Sequence, residues 1–350
     1  MPRNAKVSQT QLAKELNVSQ ALVSLVLNGR KAGINAETYE RIWDHAVKRG
    51  YRPKGMHLGS SPAVVQPRQI GFILRAPLRL HTPSVYFGHV QHGLHTVAEA
   101  RGMASTFLGA EDELDVEKLH RFFHPGHSFQ GVVLLGEVSR GFLEQLRKIE
   151  RRIVAVSARY PGLCHSVLGN EPQALEELVR HLRGLGHSRF GWLGGNLGLG
   201  RHEARLEAYR TALQTVGVEL LPRYSITLDQ ADRAEGFEAA LAAASHAKRR
   251  DFPTAWVCYN SMMAAGAIKG FSHAGLAVPK AVSVCGADVS RAGLENKPRI
   301  TCAGTSPEKL GEAAARLLLN STGEPDEPFN DLMLPSQFIA GESTGPAPAE

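Results

Sequence analysis

Apolar residues recur at two different periods along this chain. Between Val7 and Tyr51, Leu12 and Leu16, then Leu22, Val23, Val26 and Leu27, fall at the spacing that lines one side of an α-helix. This predicts two short amphipathic helices meeting at an Asn17-Val18-Ser19 corner, followed by a longer third helix. Ser8 and Ser19 stand where a side-chain oxygen caps the first turn of the first two helices, and Asn35 does so for the third. Gly50, with Pro53 close behind, is a stop signal. Two helices joined by a tight turn, the second with a polar face, predict the helix-turn-helix that enters a DNA major groove.

After Tyr51 the period breaks. The stretch RPKGMHLGSSPAVVQPR, residues 52–68, is rich in Pro, Gly and Ser and reads as a linker. From Gln69 the apolar residues gather into short continuous runs: IGFIL (70–74), GVVLLG (131–136), RIVAVS (152–157), RFGWLGG (189–195), TAWVCYN (254–260) and AVSVCGAD (281–288). Helical stretches near 86–101 and 140–150 separate the first of them. Such βα alternation predicts parallel sheets covered by helices on both faces, and about 270 residues of it suffice for two doubly wound lobes. The expected organisation is an all-α head (1–55), a linker (56–68), a two-lobed α/β body (69–340) and a Pro/Gly/Ser-rich tail, GESTGPAPAE, that frays (341–350). In doubly wound sheets ligands bind at the carboxyl ends of the strands, so a cleft between the lobes is the expected small-molecule site.

Charge sharpens this division. Residues 1–60 hold ten Lys or Arg against four Asp or Glu, so the whole +6 of the 350-residue chain resides there and the remainder is neutral. A basic head on a neutral body suits a module that meets phosphates joined to one that does not. An apolar content of 43% argues against disorder. With no signal-peptide pattern and no apolar run of membrane-spanning length, a cytoplasmic location without membrane contact is expected. Cys164, Cys258, Cys285 and Cys302 lie far apart and lack metal-ligand spacing, so they read as buried free thiols of a reducing compartment.

Several phrases, in order from Val7 to about Thr344, resemble the LacI-type (lactose-repressor) family of bacterial transcription regulators. They are LAKELNVSQALVSLVLNG, TYERI and GYRP in the head, and LRGLGHSRFGWLGG, ARLEAYRTAL, TAWVCYNSMMAAGAI, AGLAVPKAVSVCGAD and GEST in the body. The resemblance implies a homodimer or tetramer whose heads read a two-fold operator in double-stranded DNA. It also implies a periplasmic-binding-protein-like body that holds a small effector, most often sugar-like. Without an apolar heptad tail after residue 340, a tetramerising coil is not expected.

On this resemblance the recognition helix runs from Ser19 to about Asn28, with Gln20 and Ala21 at the base-reading positions. Gln pairs bidentately with adenine, whereas Ala touches only a thymine methyl. Ser8, Ser19, Ser24 and Asn28 are placed for phosphate contacts. Leu25 departs from the Arg common there, and either packs against Leu22 or meets a thymine methyl. In the linker, Met56 and Leu58 are the apolar candidates for a minor-groove wedge. Gly55 and Gly59 disfavour a hinge helix, and a flexible tether is the alternative. In the body, Arg205, Asn260 and Asp288 match effector-binding positions, suited to polyol hydroxyls because each fork serves two oxygens. Asn170 and Ser261 stand where many members carry Asp. Tyr86 and Phe87 either stack on a sugar face or belong to the core.

Weaker signals resolve against chemistry. GWLGGNLGLG (191–200) lacks the phosphate-loop Lys and the full dinucleotide spacing, and reads as a close-turning cleft loop. His187 reads as a turn residue. His81, His89, His92 and His95 have no adjacent carboxylate or Cys, so no metal is expected. No nucleophile, base and orienter can be matched, so neither cofactor nor enzymatic activity is expected. Two other classes remain open: a solute-binding protein without a DNA role, and an α/β enzyme with an appended DNA-binding head.

Overall fold

The computed structural model describes residues 7–27, 33–49, 68–76 and 85–349, which fall into two compact units divided near residue 66. Asn28, Met56 and Leu58 lie outside the described residues, as does His81.

The first unit contains α1 (Gln9–Leu16), α2 (Gln20–Leu27) and α3 (Ala36–Lys48). Ser8 Oγ accepts from the Gln11 amide, Ser19 Oγ from that of Leu22, and Asn35 Oδ1 from that of Glu37, so each helix starts on its expected cap. Asn17 turns the corner in the left-handed region, at φ 51°, a conformation that Asn tolerates. Leu12, Val23, Val26 and Ile42 are fully buried against one another. Each contributes about 1.5–3 kcal/mol relative to exposure, and that shared core orients α2. Glu15 on α1 clamps α3 from outside, taking His45 Nε2 at 2.7 Å and Arg49 Nη2 at 2.7 Å.

The second unit alternates strand and helix as expected. Its first lobe runs β1 (Gln69–Leu74), α4 (Val85–Glu99), β2 (Ala104–Ala110), α5 (Val116–Phe122), β3 (Phe129–Leu135), α6 (Arg140–Ile149), β4 (Ile153–Val156) and β5 (His165–Gly169). Its second lobe runs α7 (Glu171–Gly184), β6 (Phe190–Gly194), α8 (Gly200–Thr215), β7 (Ser225–Thr227), α9 (Arg233–Ala244), β8 (Ala255–Cys258), α10 (Ser261–His273), β9 (Ser283–Gly286), α11 (Arg291–Leu294) and β10 (Thr301–Gly304). The chain then returns to the first lobe for α12 (Pro307–Asn320) and β11 (Asp331–Leu334), and ends on β12 (Gln337–Ile339) in the second. The sheet orders are β11-β5-β4-β3-β1-β2 and β12-β10-β9-β8-β6-β7, parallel throughout except for β12 against β10. Apolar faces bury on both sides of each sheet, with Trp192 and Trp256 at the centre of the second lobe.

Three crossings join the lobes, and they are tied to one another. The Asn170 amide donates to the Leu334 carbonyl at 3.0 Å, and Thr305 Oγ1 donates to the carbonyls of Leu334 and Pro335 at 3.2 Å each. Helices α4 and α12 cross closely because Gly93 and Gly311 have no side chain. A Cβ on either would stand 1.9 Å from a carbonyl oxygen of the other helix.

Two expectations are corrected. The strands β2, β5, β7, β10, β11 and β12 had no apolar run to announce them, because HSVLG or TCAG is too short and too mixed to show a period. The tail does not fray up to Ala347, whose amide donates to the Leu185 carbonyl at 2.8 Å. Buried Ser343 bonds Thr301 and Val284, and His187 Nε2 lies 3.1 Å from the Gly345 carbonyl. His187, expected to serve the turn, also meets Thr254 Oγ1, just before β8, at 2.8 Å and Ser283 Oγ of β9 at 3.0 Å, stapling the tail to the start of both strands. Composition had suggested fraying because it could not register these partners.

Candidate functional site

Residues one or two positions beyond a strand gather between the lobes of the second unit. Arg75 follows β1, Glu137 follows β3, Ser157 follows β4, Asn196 follows β6, Asn260 follows β8, and Asp288 follows β9. All line one cavity of about 620 Å³, at the carboxyl ends of parallel strands from both lobes. This is a volume suited to a small metabolite.

Its floor is a charge cluster. Arg201 and Arg205 stand one turn apart on α8 and both reach Glu171, the first residue of α7. Arg205 Nε donates to Glu171 Oε2 at 2.7 Å, Arg201 Nε donates to Oε1 at 3.0 Å, and Arg205 Nη1 donates to the Tyr259 carbonyl. Arg205 is 2% exposed, and its guanidinium also lies 4.7 Å from the Tyr259 ring centre. Burial opposes ionisation of Glu171, but the charges and hydrogen bonds of the two guanidinium groups outweigh it and hold the carboxyl below its ordinary range.

The expected effector residues divide accordingly. Tyr86 and Phe87 meet edge to face at 5.3 Å on the cavity wall. Tyr86 also bonds Ser157 Oγ at 3.0 Å and lies under the Arg201 guanidinium at 4.8 Å. Asn260 lines the cavity, yet its amide caps α10 through the Met263 amide at 2.8 Å and donates to the Ala231 carbonyl at 2.8 Å. Asp288 lines it with one carboxylate oxygen accepting from the Ser261 amide at 2.8 Å. Ser261 is fully buried, and its hydroxyl donates to the Asp288 carbonyl. Asn170 is not among the lining residues. It caps α7 at the crossing between lobes, accepting from the Gln173 amide at 3.2 Å.

Sequence reasoning missed Arg75, Glu137, Glu171, Arg201 and Ser290. The strand-end rule marks Arg75 and Glu137, and the four-residue spacing of Arg201 and Arg205 marks a shared face. Nothing local marks Glu171. The loop 195–199 turns closely, and the Gly200 amide that opens α8 donates to Glu137 Oε2 of the other lobe at 2.8 Å.

The buried thiols are free, and burial pushes Cys164 and Cys302 up to about 12, far from reactivity. His89 pairs with Glu308 at 2.8 Å, and no group among the described residues is arranged to hold a metal ion. No helix among them is long and apolar enough to cross a membrane.

On the head, Gln20 and Ala21 are exposed in the first turn of α2. Leu25, 40% exposed on the same helix, does not pack into the core. Ser8 and Ser19 cap through an oxygen lone pair, which leaves each hydroxyl hydrogen available to a phosphate.

Comparisons with known proteins agree with this architecture. Residues 179–344 match the model for the periplasmic binding protein-like domain. The chain is 29% identical to the HTH-type transcriptional regulator reg1 of Streptomyces lividans, over 97% of each chain. It is 24% identical to the HTH-type transcriptional repressor PurR of Aliivibrio salmonicida, covering 88% of this chain and 90% of that one. The lac repressor dimer bound to operator and an anti-inducer superposes with a TM-score of 0.63 at 20% identity, covering 97% of this chain and all of the other. With helix-turn-helix head and two-lobed body matched in one alignment, the chain is similar over nearly its whole length to helix-turn-helix transcriptional regulators and shares the fold of the lac repressor.

Proposed function

We propose that the protein is a sequence-specific DNA-binding transcriptional regulator, a repressor, governed by a sugar-like effector held between the lobes of its body. The observation that carries this reading is the pairing, in one chain, of a capped helix-turn-helix with an exposed polar edge and a cavity built from strand ends of two lobes. Gln20 reads an adenine edge, Ala21 and Leu25 meet thymine methyl groups, and Ser8, Ser19 and Ser24 hold phosphates. In the cavity Tyr86 and Phe87 offer aromatic faces. Arg205, three of whose five N–H groups serve Glu171 and Tyr259, keeps two for a ligand. Asp288 presents its second carboxylate oxygen, and Asn260 and Asn170 shape the wall and the crossing.

The protein acts without catalysis, in the cytoplasm, as a homodimer on a two-fold operator. Effector and operator affinities are linked, so whatever factor the effector imposes on DNA binding, DNA imposes on effector binding. A gel-shift against genomic fragments at two salt concentrations tests the reading. A sequence-preferring complex that weakens steeply with salt is expected. Absence of any such complex, with or without metabolites, overturns it.

A further inference from the structure

One partly buried guanidinium of the cavity, that of Arg75, has no ion-pair partner among the described residues. Arg75 enters from the first lobe, and its stem is wedged beside residue 136: a Cβ on Gly136 would stand 2.7 Å from Arg75 Cδ and 3.0 Å from the Phe87 ring. Gly136 adopts φ 94° there, a conformation that disfavours any other residue, so the backbone itself makes room for this side chain. Among the described residues no carboxylate lies within ion-pair reach of Arg75, and its hydrogen bond is a 3.4 Å donation to the Ala76 carbonyl.

The nearby carboxylates make their direct contacts elsewhere, although Glu137 favours the Arg75 charge from a distance. Glu171 serves Arg201 and Arg205 together, and Glu137 Oε2 already takes the first amide of α8. Arg233, Asp232 and Asp288 also line the cavity, and none of these carboxylates forms an ion pair with Arg75. Burial also makes the ionised Arg75 costly, drawing its pKa below the ordinary Arg value. Neutral hydroxyls leave the Arg75 guanidinium without an ion pair, whereas an anion in a bidentate pair supplies one.

The second lobe offers different chemistry. Ser290, 3% exposed on the cavity lining, has a buried hydroxyl without a hydrogen-bond partner among the described residues. Asp288 lines the same wall. A buried hydroxyl of that kind is satisfied by a polar ligand atom.

We propose that the ligand of this cleft is an anionic polyol, whose carboxylate or phosphate is received by Arg75 and whose hydroxyls meet Ser290 and Asp288. The proposal rests on the effector-binding reading and names the class of molecule the cleft takes.

Calorimetry on the full chain with matched probes tests it: glucuronate and glucose 6-phosphate against glucose, and gluconate against glucitol. The anionic member of at least one pair is expected to bind roughly 10- to 150-fold more tightly, the span of one charge-assisted hydrogen-bonded contact. Which pair responds separates carboxylate from phosphate. Arg75→Gln removes the preference, and Arg75→Lys keeps part of it. If Arg75→Gln fails to fold, the wild-type comparison together with Arg75→Lys decides. Equal or tighter binding of the neutral members overturns the proposal, as does a preference that survives Arg75→Gln, or binding of none of the probes. Operator gel-shifts on the same preparations separate the two readings. A chain that releases DNA with a neutral sugar loses this proposal and keeps the regulator reading, whereas a chain without an operator complex loses the regulator reading whatever the probes do.

Discussion

Glu171→Gln isolates the ion cluster beneath the cleft, because the substitution preserves volume and removes only the charge. In the native protein one carboxylate answers two guanidinium groups, at 2.7 Å to Arg205 and 3.0 Å to Arg201. Neither cation can swing into water, since the Arg205 side chain is 2% exposed and that of Arg201 is 19% exposed. Removing one partner of a buried pair leaves an uncompensated charge and costs about 3–5 kcal/mol. Urea denaturation at pH 7 should therefore show the body losing about that much, with the slope unchanged. The pH dependence gives a second readout. The folded pKa of Glu171 is depressed below its ordinary 4.5, so its contribution is whole above that value and fades as pH falls through the folded pKa. The deficit of the variant should accordingly shrink in acid. A loss below about 1 kcal/mol at neutral pH, the level of an exposed pair, would refute the argument.

Other outcomes are fixed by geometry. Within α4, Gly93→Ala should destabilise by about 1–3 kcal/mol, because its Cβ meets the Glu308 carbonyl oxygen at 1.9 Å. Gly88→Ala, with nothing within 4 Å, should stabilise by about 0.4–1 kcal/mol, and thermal melts distinguish the two. Burial lowers the pKa of His187, so the unfolded chain takes up the proton first and stability falls as pH drops below the ordinary 6.5. Urea midpoints at pH 7.5 and 5.5 should differ less in His187→Gln, with His165 and His181, also lowered by burial, keeping part of the difference. Gln20→Ala should cost about 1–3 kcal/mol against the preferred operator and relax choice at one base pair, leaving the salt slope unchanged. Leu25→Ala should weaken binding at a thymine without any change in the melting of the head, which a packing role would not allow.

The head was legible because its information is local. Capping by Ser8, Ser19 and Asn35 and the apolar spacing of Leu12 with Leu16, and of Leu22 and Val23 with Val26 and Leu27, depend on residues at most one or two turns apart. The same holds for the six apolar strands and for the position of Asn260 and Asp288 just beyond strand ends. Leu25 marks the limit, since spacing placed it on α2 and only its exposure decided between packing and a free surface.

The amino-acid order by itself determined a basic helix-turn-helix followed by alternating strands and helices, and hence a two-lobed parallel body. Tertiary structure decided how the chain crosses between lobes, where β11 and β12 return, and that the tail to Ala347 is pinned rather than frayed. It also decided the chemistry of the cleft. Arg75, Glu137, Glu171 and Arg201 are up to 126 residues apart and share no pattern along the chain. They meet because parallel strands bring their carboxyl ends to one edge of each sheet, and two such edges face each other across the cavity. A period reports which face a residue occupies, but only the closed topology reports which charges it must answer.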